Sequence, residues 1–348
     1  MPARNIRIGV IGASGYTGAD LVRIAARHPA IDIRVLTANT HAGKAAHDVF
    51  PHFSSLDLPP LIKNEDADWS KIDAVFCGLP HATSQEVIKG LPRHLKIIDM
   101  SADFRLRDAA VYEKWYGTPH RALDLQKEAV YGLTEHYRDE IRKGRLIACP
   151  GCYPTAVLLM LLPLVKDRLI DPNDIVIDAK SGVSGAGRSL KQNLLFTEAG
   201  EGLSPYGIAS HRHAPEMEQE ISRAAGSQVI VNFTPHLVPM SRGELCTTYA
   251  RLSKGAAAED CMRSLASAYK GEPFVRLAPK GVTPSTQFVR GSNNVMLAVY
   301  ADRVPGRVIL VSTLDNLVKG SAGQAIQNFN LMFGLGETSG LEQVALFP

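Results

Sequence analysis

Ile6-Arg-Ile-Gly-Val-Ile-Gly12-Ala-Ser-Gly15-Tyr-Thr-Gly18-Ala-Asp-Leu-Val-Arg-Ile-Ala-Ala-Arg27-His-Pro29-Ala-Ile31-Asp-Ile-Arg-Val-Leu36 is the stretch that decides the fold class. Residues 6–11 are a β-rich apolar run. Residues 19–27 place apolar side chains at helical spacing, and His28-Pro29 stops that helix. Residues 31–36 read as a second strand. Strand, glycine turn, helix and strand within about thirty residues make one βαβ unit. Such a unit opens a doubly wound parallel sheet of the Rossmann type.

The glycines stand at Gly12, Gly15 and Gly18, a G-x-x-G-x-x-G spacing rather than the stricter G-x-G-x-x-G. A plain strand-to-helix turn satisfies that spacing equally well. What points to a dinucleotide is the position between a strand and a helix. There, a backbone without Cβ atoms can approach a pyrophosphate, and the helix start supplies N–H donors. Gly12, Ser14, Gly15, Tyr16, Thr17 and Gly18 are the expected cofactor contacts. An NAD site usually carries Asp or Glu at the end of the second strand, for the ribose 2′-hydroxyl. This chain has Thr37-Ala-Asn39-Thr40-His41 and then Lys44. Hydroxyls and a cation with no acid favour the 2′-phosphate of NADP(H), with Thr37 and Lys44 as its contacts.

Further out, 73–77 and 96–99 read as parallel strands with a helix over 82–90 between them. The pattern changes near 150. A helix over 154–168 is followed by strands at 174–179, 228–234, 244–251, 295–300 and 307–312. Few crossover helices separate them, which predicts an α+β domain with a mainly antiparallel sheet. Residues 181–210, rich in glycine and serine, read as a long loop, and 316–333 is a closing helical segment.

The bulk composition narrows the class. The 348 residues suffice for two domains. Hydrophobic residues make up 45% and charged residues 21%, a globular balance without a disorder signature. A net charge of +3 with scattered basic residues does not suggest nucleic acid. The apolar run at 6–11 is too short for a signal peptide core, and Ala156–Val165 is far short of a membrane span. The cysteines, Cys77, Cys149, Cys152, Cys246 and Cys261, are odd in number and lack framework spacing. That fits a reducing compartment and a cytoplasmic location. The expected partner is a small molecule, with no nucleic acid, no membrane and no metal.

Cys152 sits in Pro150-Gly-Cys-Tyr-Pro-Thr155, directly before a helix. A thiol at a helix start feels the positive end of the dipole, which favours thiolate. Taken alone, a buried capping cysteine explains the position as well. Its place where a cofactor domain gives way to a second domain argues for a nucleophile. A thiolate beside a nicotinamide implies attack on an activated acyl group, a thioester, and hydride addition to give an aldehyde. That chemistry needs a proton donor. His211 and His213 alternate on an extended segment and so share one face. Solvated loop histidines are the plainer reading of the pair. Ser181-Gly-Val-Ser-Gly-Ala-Gly-Arg188 is a second glycine-rich loop whose N–H groups and Arg188 suit an anion. Arg105 is a further candidate anion contact.

These motifs together resemble the N-acetyl-γ-glutamyl-phosphate reductase family of arginine biosynthesis. The carriers are residues 12–18, Asp99-Met-Ser-Ala-Asp-Phe-Arg-Leu106, Ala129-Val-Tyr-Gly-Leu133, residues 149–155 and 181–188, His211-Arg-His213, Gly291-Ser-Asn-Asn294 and residues 315–324. The resemblance spans almost the whole chain. It implies reduction of N-acetyl-L-glutamyl 5-phosphate by NADPH to the 5-semialdehyde with release of phosphate. It puts the nucleophile on Cys152 and the acid/base role on His211 or His213, leaning to His213. It adds Gly185, Asn316, Lys319 and Gly320 as cofactor contacts, and Ser181, Arg188 and Arg105 as substrate or phosphate contacts. It implies a discontinuous cofactor domain, 1–151 with 313–348, a catalytic and dimerisation domain over 152–312, and a homodimer or homotetramer. The departures, Met100 and Asp20 where the family often has Leu and Glu, touch none of this. One rival is the homologous lysine-pathway reductase, acting on an aminoadipyl phosphate that is in some versions carrier-linked. The absence of a compact basic patch for an acidic carrier weighs against that version. A rival of another class is a non-catalytic NADP-binding regulator, which would have no need of Cys152, His211 and His213.

Overall fold

The computed structural model describes residues 5–347. The chain divides into two compact units, one up to Pro150 and over Ser321–Glu342, the other over Gly151–Gly320 and from Gln343. The second segment of the first unit therefore begins at Ser321, later than the expected 313, and the last residues lie with the second unit.

The first unit is built on β1 (Ile6–Ile11), β2 (Ile31–Thr37), β3 (Leu61–Ile62), β4 (Ala74–Cys77), β5 (Lys96–Asp99), β6 (Val130–Tyr131) and β7 (Leu146–Ala148). Their order is β3-β2-β1-β4-β5-β7-β6, and every pairing is parallel. Reversal of direction on either side of β1 is the doubly wound pattern the opening βαβ unit predicted. Buried residues on β4 and β5 run continuously, as they do when helices cover both faces of a sheet. The helix Gly323–Met332 packs on β5 and on the helix Thr134–Lys143, and all of its residues are buried. Its asparagines are satisfied, whereas Gln324 Oε1 has no hydrogen-bond partner among the described residues. The Asn328 amide donates to the Gly132 carbonyl at 2.8 Å and accepts from the Thr134 hydroxyl at 2.7 Å.

The second unit is built on β8 (Ile170–Gly182), β9 (Ser204–Pro205), β10 (Asn232–Val238), β11 (Glu244–Leu252), β12 (Val275–Leu277), β13 (Val295–Ala301) and β14 (Arg307–Leu314). The order is β12-β13-β14-β11-β8-β10-β9, antiparallel except for β8 with β10 and β12 with β13. The strand expected at 228–234 starts only at Asn232. Before it, the Val229 N–H donates to Ser222 Oγ and the Val231 N–H to Glu218, so these donors serve the helix Ala214–Ala225 instead of a ladder. The segment expected to be helical from 316 opens as a π turn over Val318–Ala322 before the regular helix.

The helix Cys152–Lys166 forms the centre of this unit. It is buried without interruption from Tyr153 to Val165 and packs on β8, β11, β14 and the helix Ala214–Ala225. Each fully buried Leu, Val or Met contributes about 1.5–3 kcal/mol. Pro163 has no N–H for the Leu159 carbonyl one turn back. The Tyr269 hydroxyl donates to that carbonyl instead.

Candidate active site

In the first unit the glycine loop is pinned to the end of β2. The N–H groups of Gly12 and Ala13 donate to the Thr37 carbonyl at 3.1 and 2.9 Å. Gly12 has φ +83°, a conformation open to glycine. A Cβ on Gly18 would stand 2.4 Å from the Gly12 carbonyl oxygen, so the third glycine lets the helix close onto the turn. Gly15 caps the helix Tyr16–Ala25 with no side-chain hydrogen bond. Its first-turn N–H groups, those of Tyr16 and Thr17 among them, suit a pyrophosphate. These features fit a dinucleotide. At the end of β2, Thr37 is buried and its hydroxyl donates to Asn64, whereas Asn39, Thr40 and Lys44 are exposed. Arg105 is 8% exposed. Its guanidinium donates to the carbonyls of Cys149 (2.8 Å) and Met100 (3.1 Å), joining the ends of β5 and β7.

The second unit holds Cys152, His211, His213, Ser181, Gly185, Arg188, Asn316, Lys319 and Gly320. Cys152 is the first residue of its helix, after the cap Gly151. Three groups fix that turn. The Gly151 N–H donates to Glu216 at 2.9 Å, the Gly151 carbonyl accepts from the Thr155 N–H and hydroxyl, and the His213 ring lies on Gly151 where a side chain would be. His213 itself caps the helix Ala214–Ala225, so Glu216 stands in that helix's first turn with its carboxylate turned to Gly151.

His211 accepts the His213 N–H at Nδ1, 3.1 Å away. The two rings are 4.8 Å apart, and His211 also faces Tyr153, Tyr206 and Phe233. Burial in this aromatic setting, with Arg212 adding to it, pushes His211 down to about 4, so it is neutral at pH 7.

The half-buried Cys152 thiol is pushed well above its ordinary range, by burial first and then by the Glu244 carboxylate. The Tyr153 N–H at the helix start pulls the other way and loses. The expected lowering by the helix end is thus present but outweighed. Glu244 is itself pushed up to about 8 by burial, with Asp315 adding to the rise and Cys152 opposing it.

Ser181 is buried and its hydroxyl donates to the Gly182 carbonyl. A Cβ on Gly185 would stand 3.0 Å from Ser181 Oγ and 3.8 Å from the Asn316 amide. The Asn316 side chain accepts from the Gly243 N–H (2.9 Å) and donates to Ser184 Oγ (3.0 Å), so it ties this loop to the start of β11. Arg188 is exposed, and Lys319 is fully buried with its ammonium 5.9 Å from the centre of the Phe274 ring. Glu216, Glu244, Tyr153 and Tyr206 were not among the residues expected from sequence. Glu216 had a signal, an acid three residues into a helix that His213 caps. Glu244 had a weaker one, the alternation that puts it on the same face of β11 as Cys246 and Thr248. Among the described residues no group of His, Cys, Asp and Glu is arranged to hold a metal, and no helix is long and apolar enough to cross a membrane.

Comparison with known proteins bears on this geometry. Residues 7–144 match the family model described as semialdehyde dehydrogenase, NAD binding domain, and residues 152–316 match its dimerisation domain. A chloroplastic protein of Arabidopsis thaliana, named as a probable N-acetyl-gamma-glutamyl-phosphate reductase, is 54% identical over 347 residues, covering 100% of this chain and 86% of the relative. An N-acetyl-gamma-glutamyl-phosphate reductase of Afipia carboxidovorans is 54% identical over 99% of both chains. This chain belongs to the N-acetyl-γ-glutamyl-phosphate reductase family. Members of the wider semialdehyde dehydrogenase group share the fold of this reductase family at low identity. Aspartate semialdehyde dehydrogenase II of Vibrio cholerae, solved with ASA, superposes with a TM-score of 0.71 at 16% identity, covering 95% of this chain and 99% of that one. The Candida albicans aspartate semialdehyde dehydrogenase solved with NADP gives 0.68 at 17% identity, over 94% and 98%. The matched NAD binding model covers the glycine loop, and the matched dimerisation model begins at Cys152.

Proposed function

We propose that this protein reduces N-acetyl-L-glutamyl 5-phosphate with NADPH to N-acetyl-L-glutamate 5-semialdehyde and phosphate. The observation that carries the reading is the Gly151–Cys152 turn, gripped by Glu216 and covered by His213 at the start of a wholly buried helix. The naming of relatives 54% identical along the whole chain supports the substrate.

Cys152 Sγ bonds to the acyl carbon, and phosphate leaves with the C–O electron pair. NADPH held at the glycine loop would supply the hydride for the thioester carbonyl. His213 gives a proton to the acyl oxygen and takes it back as the C–S bond breaks and the aldehyde departs. His211, held neutral and accepting the His213 N–H, keeps His213 oriented. Ser181, Arg188 and Arg105 are assigned to the substrate and its phosphate. Gly12 to Gly18, together with Gly185, Asn316, Lys319 and Gly320, are assigned to the cofactor. NADP rather than NAD is assigned on the exposed Thr40 and Lys44 beyond an acid-free strand end, with Thr37 acting from behind through Asn64. A cytoplasmic homodimer or homotetramer is the working form.

Cys152→Ser is expected to abolish phosphate-dependent oxidation of the N-acetylglutamate semialdehyde while NADP still binds. Turnover retained in that variant sinks the thioester. A panel of the semialdehydes of N-acetylglutamate, aspartate and N-acetylaminoadipate tests the substrate, and a higher kcat/KM for either of the others overturns it.

A further inference from the structure

Glu244 opens β11 and is 0% exposed. Neither of its carboxyl oxygens has a hydrogen-bond partner among the described residues. A buried acid left so is costly wherever it serves only packing. Strand register places it. Glu244 pairs with Leu314 on β14 and with Ser181 on β8. Leu314 Cδ1 and Cys152 Cβ lie 3.3 and 2.7 Å from where a Cβ on Gly320 would stand, so Cys152 and the Leu314 side chain meet at that glycine. Within this small volume the Glu244 carboxyl and the Cys152 thiol each shift the other's proton affinity.

Titrating groups of both signs surround Glu244. Tyr153 comes from the Cys152 helix and Tyr206 from the loop before His211, their hydroxyls 3.2 Å apart. Cys246 lies two residues along β11 on the same face, and Asp315 follows β14. Arg242 pairs with Asp315 at 3.6 Å, and Lys180 acts on Cys246. Among the described residues the acid forms no salt bridge.

We propose that Glu244 is the proton acceptor of the Cys152 thiol. The proposal rests on the reading of Cys152 as the nucleophile. As Sγ bonds to the acyl carbon and the C–O bond to phosphate breaks, the thiol proton passes to a Glu244 carboxylate oxygen. As the C–S bond breaks on aldehyde release, sulfur keeps the electron pair and takes the proton back from Glu244. No other reactant is needed, and His213 remains the group serving the acyl oxygen. An ordinary carboxylate is a poor base for a thiol, since about four pK units separate them. Burial brings Glu244 up to about 8, which makes it a far stronger base than an ordinary carboxylate, although burial raises the thiol as well.

The test is the rate of Cys152 alkylation by iodoacetamide against pH, read by mass spectrometry on the substrate-free protein, in wild type and Glu244→Gln. Wild type is expected to gain reactivity through an ionisation near pH 8. In Glu244→Gln that rise should vanish, leaving one at higher pH, and kcat/KM should fall by about 100-fold or more. Glu244→Asp should restore part of both. If Glu244 merely raises the thiol by its charge, Glu244→Gln alkylates faster and at lower pH, and the proposal is overturned. An unchanged profile overturns it as well. Should Glu244→Gln not fold, the wild-type profile decides, because the lack of any ionisation near pH 8 ends the proposal. Alkylation does not involve the acyl phosphate, so a wrong substrate assignment would show in turnover and leave this result standing.

Discussion

The His213 ring fills the space a side chain on Gly151 would need. A Cβ there would stand 2.3 Å from His213 Nε2 and 2.7 Å from its Cε1. The proposed proton donor is therefore positioned by the backbone of the residue before the nucleophile. Gly151→Ala must displace the ring by an ångström or so, and such a misplacement costs about 100-fold in rate. The expected outcome is that loss in kcat, with Cys152 still open to alkylation and Tm little changed. Near-normal kcat in this variant would mean that His213 is not held by Gly151.

His211 makes stability depend on pH with a definite sign. Its folded value of about 4 lies below the ordinary 6.5. Between those values the unfolded chain binds the proton and the folded chain does not, so this contribution to stability rises with pH. It is intact above about pH 6.5 and is lost as pH falls toward 4. His211→Asn should lose less Tm than wild type between neutral pH and pH 4, as read by thermal denaturation. Parallel curves for the two proteins would contradict the buried, neutral assignment.

Tyr269 and Pro163 should be coupled through the Leu159 carbonyl. Tyr269→Phe leaves that carbonyl buried without a donor, at a cost of about 1–3 kcal/mol. In Pro163→Ala the new N–H can donate to it along the helix. The double variant is expected to be more stable than the sum of the single changes allows, measured as a urea double-mutant cycle. Strict additivity would show that the two side chains act independently.

Gly18→Ala should separate cofactor binding from thiol chemistry. The added methyl would meet the Gly12 carbonyl at 2.4 Å and force the turn open. NADPH affinity, followed by fluorescence titration, is expected to fall at least about tenfold, the effect of losing roughly 1.4 kcal/mol. Alkylation of Cys152 should not change. Undiminished NADPH binding would remove the glycine turn from the cofactor site.

The parallel sheet was legible because its signals are local. A strand, three glycines, a helix and the His28-Pro29 stop lie side by side in the chain, and the structure keeps them, with the helix starting three residues earlier, at Tyr16. Cys152, His211 and His213 stood out as candidates for the same reason, each marked by its immediate neighbours. Glu244 did not, because nothing near it in sequence announces a thiol. Its meaning comes from a strand register linking it to Leu314 and Ser181, and from a helix that begins some ninety residues earlier. The sense of the thiol's proton affinity was misread for a related reason. The helix start is visible in the sequence, whereas the burial and the facing acid that outweigh it are not. The edges of the second sheet were equally hidden. The run 228–231 looks like strand, but its donors are taken by side chains of the preceding helix.

The groups gathered around Cys152 all come after it in the chain: His211 to Glu216, then Glu244, then Asp315 and Gly320. On the ribosome the thiol emerges long before any of them. Until Gly320 has followed, Cys152 is an ordinary cysteine with an ordinary proton affinity, and only the completed second unit gives it its distinctive chemistry. A chain that stops short of Gly320 would therefore carry the proposed nucleophile without the buried setting that raises its proton affinity.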